Sequence, residues 1–246
     1  MGEIIAIVSG KGGTGKTSVC AGLATALAAQ SRRVLCVDCD VGLRNLDIPL
    51  GLSDCGALSF LDVSEGSYPL SGAAWHPAYP SLSFLTAPMN RPVEQVDRDA
   101  FQKMLRSARK DFDYILLDAP AGVDAGFRLA ASAADRFLLV TGSGPAAVRD
   151  AARVGDILES QGQNNVRLIV NRVDKAMLKT VRLTIDDVMD TAGLPLIGLV
   201  PDDYQVPLAA AFGRPLLKEA PRCPAAQAFR RIASRVQGFS QPIGLK

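Results

Sequence analysis

The sequence predicts an α/β fold, a doubly wound, mainly parallel sheet with helices on both faces, in one domain over residues 1–246. Three observations predict it. Ile4-Ile5-Ala6-Ile7-Val8 is an apolar, β-branched strand, a Gly-rich turn follows it, and residues 18–30, rich in Ala and Leu, form a helix. Further apolar stretches at 33–38, 112–118, 136–141, 166–172 and 196–200 recur through the chain, with helical patterns at 97–110 and 146–160. Two of the stretches end in aspartate, Asp38 and Asp118, at the edge where an open α/β sheet takes its ligand.

The remaining elements follow in order. Residues 51–92 are loop-rich, with a short helix at 57–63 and an alternating strand at 81–86. Phe101, Met104, Leu105 and Ala108 form the core stripe of the helix at 97–110. The chain closes on a helix at about 223–237, with Phe229, Ile232, Ala233 and Val236 on one face, and a short tail at 238–246.

The first turn reads Gly10-Lys11-Gly12-Gly13-Thr14-Gly15-Lys16-Thr17, the pattern G-x-x-x-x-G-K-[ST], set between a strand and a helix. The glycines let successive backbone N–H groups face an anion, and the helix start at Ser18 adds partial positive charge. Lys16 neutralises the β- and γ-phosphates, and the Thr17 hydroxyl ligates Mg²⁺. Asp118, ending an apolar strand, holds Mg²⁺ from the other side. This is a nucleoside triphosphate site.

Composition excludes several other classes. Apolar residues make up 48% of 246, yet no apolar run approaches the roughly 18 residues that span a bilayer. The N-terminus lacks a basic region and enters its first strand at once, so no signal peptide is expected. Five cysteines, an odd count, in a chain needing cellular nucleotide indicate reduced thiols in the cytoplasm. Cys36 and Cys39 have C-x-x-C spacing but no second pair, and are read as buried structural thiols. His76, the one histidine, is placed in a loop, which excludes His-based catalysis and His-rich metal sites.

The second lysine, Lys11, gives K-G-G-x-G-K-T, which resembles the deviant Walker A motif of the MinD/ParA/Mrp class, P-loop NTPases of the SIMIBI type. The resemblance implies an ATP-bound homodimer in which Lys11 reaches the partner subunit's phosphates. Asp38 to Asp47 read D-x-D-x-G-L-R-N-L-D, similar to switch I of the MinD branch, whereas ParA chains carry a D-x-D-P-Q type. By that resemblance Asp40 orients the attacking water and Asp38 lies near the Mg²⁺ shell. Asn45 and Asp47 belong to the loop that senses the γ-phosphate. Pro120, Gly122 and Asp124 match the family's switch II, after the Walker B Asp118. Asn171 and Arg172, with Pro201 and Asp203, match its adenine contacts. One departure stands out: Gly142-Ser143-Gly144-Pro145 replaces the usual Pro-Glu, although Val148-Arg149-Asp150-Ala151 keeps the V-R-D-A that follows.

The resemblance implies an ATPase that helps place the division septum, with MinC-like and MinE-like protein partners. It stops before the family's amphipathic membrane helix, so peripheral binding at the inner face of the cell membrane is expected to lack its usual anchor. From residue 214 onward seven Lys and Arg face one acidic residue, a net of +6, which keeps a DNA-binding partition ATPase open. A flagellar-number ATPase of the same superfamily and a small-molecule P-loop ligase would carry the same phosphate loop.

Overall fold

The computed structural model describes residues 1–89 and 91–244. Leu245 and Lys246, the end of the expected tail, lie outside the described residues. One sheet contains β1 (Glu3–Val8), β2 (Val34–Asp38), β3 (Ala74–His76), β4 (Tyr79–Leu85), β5 (Tyr114–Asp118), β6 (Arg136–Thr141), β7 (Val166–Val173) and β8 (Leu196–Pro201). The order is β3-β4-β2-β5-β1-β6-β7-β8, parallel throughout except for the β3–β4 hairpin. The expected fold class is therefore observed. β1 lies between β5 and β6, where the winding reverses, so the loop leaving it opens onto the crevice of the sheet.

Burial on both faces explains the apolar strands. Ile4, Ala6 and Val8 of β1 enter one core, and Ile5 and Ile7 enter the other. Helices Arg98–Ala108, Ala125–Ala131, Pro145–Ser160 and Ile185–Ala192 cover the first face. Helices Lys16–Ala29 and Pro224–Val236 cover the second. Cys36 and Cys39 fall into opposite cores, both buried and unbridged, as an odd spacing along an extended chain dictates.

The terminal helix belongs to the core. Ala225, Ala226, Phe229, Ile232, Ala233 and Val236 are buried at helical spacing. Phe229 packs on Gly22 so closely that a Cβ at Gly22 would lie 2.5 Å from its ring. The arginines of this region are committed to backbone carbonyls: Arg230 to Pro221, Arg231 to Gly244, and Arg235 to Ile197, Gln241 and Pro242. They tie the chain end together.

Residues 51–92 carry more structure than their composition predicts. Helix Phe60–Ser64 starts in a capping box between Ser59 and Asp62. His76, expected in a loop, instead ends the three-residue strand β3 and is buried. Its Nε2 lies 2.8 Å from Leu50 O, and its Nδ1 accepts from Ala78 N (3.0 Å) and Tyr79 N (3.2 Å). The imidazole stitches a hairpin turn to the loop region after β2. A three-residue strand followed by Pro77 is too short to show an alternating pattern.

Candidate functional site

The chain leaves β1 through Ser9 and Gly10 into the glycine loop. Gly13 and Gly15 both sit at φ 82°, a left-handed conformation that favours glycine. A Cβ at Gly15 would also fall 2.3 Å from Asn171 Nδ2. Helix Lys16–Ala29 then begins without a side-chain cap and without an acidic residue in its first turn. Helix Arg98–Ala108, by contrast, is capped by the Asp97 carboxylate. The uncapped start leaves backbone N–H groups for an anion. Gly12 and Gly13 are exposed and Gly10 and Gly15 half-buried, while Thr14 is buried. Thr17 and Ser18 are half-buried in the first turn.

Behind the loop lies a buried ion pair. Lys16 Nζ is 2.9 Å from Asp118 Oδ1, and both side chains are almost wholly enclosed. Burial works against the Lys16 charge, yet the attraction and hydrogen bond of Asp118 hold it above the usual lysine range. Asp38 and Asp118 are register partners on the parallel strands β2 and β5, so their side chains share a face. Asp38 accepts from Asp40 N (2.9 Å) and Leu46 N (3.1 Å), which shapes the loop after β2. Burial and the neighbouring Asp118 push the Asp38 carboxyl up to about 7, against the pull of those two N–H donors. Burial also raises Asp40, with Lys16 opposing and Asp118 adding.

Lys16 thus pairs with Asp118 and is drawn by Asp40, while Asp38 lies beside Asp118, so the hard carboxylate oxygens here outnumber the one neighbouring lysine. That chemistry fits Mg²⁺, which takes few protein ligands and completes its shell with phosphate oxygens and water. Among the described residues, no three His, Cys, Asp or Glu side chains gather closely enough to cage a metal by themselves.

The other predicted residues surround this centre at varying depth. Lys11 is exposed at the mouth, with its carbonyl accepting from Ser9 Oγ at 3.1 Å. Gly122 N donates to Ser9 O at 3.0 Å, bringing the Pro120–Asp124 loop against the end of β1. Pro120 is half-buried and Asp124 exposed. Asn45 is exposed, whereas Asp47 is buried, with Oδ1 lacking a partner among the described residues. Asn171 Nδ2 donates to Thr14 O at 2.8 Å, so this side chain braces the glycine loop from β7. Arg172 is exposed at φ 54° and pairs with Asp202 at 3.5 Å. Pro201 ends β8, and Asp203 accepts from Gln205 N and Ala225 N, both at 3.0 Å.

Two contacts gave no sequence signal. Asp150, inside the V-R-D-A run, presses its carbonyl and Cβ on Gly10, where an added Cβ would lie 2.7 Å from the Asp150 oxygen. Cys39 N donates to Asp118 O at 3.0 Å and locks the ends of β2 and β5 together. Both join residues distant in the chain.

Comparison with known proteins agrees with this geometry. Residues 5–216 match the CobQ/CobB/MinD/ParA nucleotide binding domain. The chain is 36% identical to the septum site-determining protein MinD of Synechocystis, covering 99% of this chain and 92% of that one. Its identity to MinD of Bacillus subtilis is 37% with the same coverage. Among solved structures, MinD in the MinC:MinD cell division complex of Aquifex aeolicus superposes with a TM-score of 0.91 at 36% identity, over 98% of each chain. The Pyrococcus horikoshii MinD complexed with Mg-ADP gives 0.84 at 31% identity, over 96% of each. The chain belongs to the MinD branch of the MinD/ParA nucleotide-binding family.

Proposed function

We propose that this protein is an ATPase working as a dimerisation switch in septum placement. The ATP-bound homodimer recruits a MinC-like division inhibitor, and hydrolysis, prompted by a MinE-like regulator, resets it. The observation that carries the reading is the buried Lys16–Asp118 pair beneath an uncapped helix start. When ATP enters, its phosphates take the backbone N–H groups of residues 10–18 and draw Lys16 off Asp118. Asp118 and Thr17 would hold Mg²⁺, which would supply charge neutralisation on the phosphates. Asp40 orients water in line with the γ-phosphate, while Lys16 and the partner subunit's Lys11 stabilise the transition-state charge. Asn45, Asp47, Pro120, Gly122 and Asp124 carry the nucleotide state to the dimer face. Asn171, Arg172, Pro201 and Asp203 flank the adenine.

A protein partner is favoured over DNA because the arginines of the terminal helix are engaged with backbone carbonyls. Light scattering of the full chain with ATP and with ADP tests the switch. A dimer with ATP alone, persistent in Asp40→Ala and absent in Lys16→Ala, is the expected result. One mass in every nucleotide state sinks the proposal.

A further inference from the structure

Strand β7 delivers one polar side chain to the back of the glycine loop. Ile169 enters the core beneath helix Lys16–Ala29, and Asn171, two residues on, lies on the same face. Asn171 is 5% exposed, and its Nδ2 donates to Thr14 O at 2.8 Å. The next residue, Arg172, sits at φ 54° where the pairing of β7 with β8 shifts register. A left-handed backbone at a residue with a Cβ persists only where its surroundings fix it, and such positions gather at functional sites.

Thr14 stands between Gly13 and Gly15, both at φ 82°. Among the described residues, no other side chain makes a hydrogen bond to residues 12–15. In a planar trans peptide the C=O and the following N–H point in opposite directions. Holding Thr14 O toward β7 therefore aims the Gly15 N–H away from β7. The hydrogen bond to Thr14 uses one N–H of the Asn171 amide. Its second N–H and its oxygen remain, a donor and an acceptor that match the edge of an adenine.

Resting on the ATPase reading, we infer that Asn171 is a positioning residue for the phosphates. Its amide fixes the Thr14–Gly15 peptide and presets the glycine loop before any base is bound. The rest of the same amide serves the adenine, so one side chain ties the two ends of the nucleotide together. A triphosphate without a base therefore feels the loss of Asn171.

Isothermal titration of the full chain with inorganic tripolyphosphate and with ATP, each with Mg²⁺, tests this role. Asn171→Leu keeps about the same volume without a donor, and Asn171→Ala removes both. Each variant is expected to bind tripolyphosphate about tenfold more weakly, because a buried carbonyl loses its donor, and to lose at least as much for ATP. A role in stability alone leaves both affinities unchanged, and a role in base reading alone lowers only that for ATP. Either of those results overturns the inference, as does a failure of the unaltered protein to bind tripolyphosphate. The unaltered protein supplies a second readout that needs no variant. One Asn171 side-chain N–H proton is expected to stay protected from solvent exchange in ¹⁵N NMR, with and without tripolyphosphate. Rapid exchange of both protons also overturns the inference. The expected tripolyphosphate losses, found together with one mass in every nucleotide state, leave Asn171 in this role and sink the dimer switch instead.

Discussion

Asp118→Asn isolates the energetics of the ion pair behind the glycine loop. The substitution keeps the shape and one acceptor oxygen but strips the charge that faces Lys16 at 2.9 Å. Lys16 is 6% exposed and cannot turn to water, and Asp38 is committed to two backbone N–H groups. Breaking a buried pair from one side costs about 3–5 kcal/mol, because the surviving charge is uncompensated. The half-buried Asp40 still attracts Lys16, so the lower end applies. For a chain of this size about 3 kcal/mol lowers Tm by roughly 6–12 °C. Urea unfolding of nucleotide-free protein in EDTA measures the loss. Adding Lys16→Met removes the stranded charge, so the double variant is expected to be more stable than Asp118→Asn alone. A double variant that falls further, by the sum of the single losses, refutes the account.

The pH dependence of the same site has a definite sign. The Asp38 carboxyl is raised to about 7 in the fold against 3.8 unfolded, so the native state holds the extra proton and stability falls as pH rises from about 4 to 7. Asp38→Asn flattens that part of the profile in metal-free urea titrations; an identical slope in both proteins refutes it. Phe229→Ala costs about 3–5 kcal/mol by emptying the contact between the terminal and glycine-loop helices. Gly22→Ala is destabilising alone, and combining it with Phe229→Ala recovers part of the loss in calorimetry, since the clash partner is gone. Gly15→Ala combines a left-handed φ of 82° with a 2.3 Å approach to Asn171, and is expected to abolish binding of a fluorescent ATP analogue while the far-ultraviolet spectrum is kept. Pelleting with anionic liposomes, with ATP and with ADP, is expected to be weak in both, because the arginines of residues 230–235 are occupied by carbonyls; strong ATP-dependent pelleting contradicts that expectation.

The fold and the glycine loop at its crevice were legible because their signals are local. A strand, a glycine loop and a helix are contiguous, and β2 and β5 carry their aspartates at their own ends. The terminal helix was legible for the same reason, through the spacing of Phe229, Ile232 and Val236. What escaped is relational. The brace from Asn171 to Thr14 spans 157 positions, and no single-chain pattern announces it. His76 read as a loop residue because its partners are backbone atoms at Leu50, Ala78 and Tyr79. The basic chain end offered a charge count, yet Arg230, Arg231 and Arg235 turn onto backbone carbonyls and Arg214 pairs with Glu219. Composition reports how many cations exist; their partners depend on which carbonyls folding brings within reach.

Asp203 has a mechanical consequence. Its two carboxylate oxygens hold the first turns of helices Gln205–Ala211 and Pro224–Val236. The loop after β8 and the last helix therefore share a hinge pin. Losing the Asp203 carboxylate would free the starts of two helices that are not neighbours in the chain, one of them packed in the core.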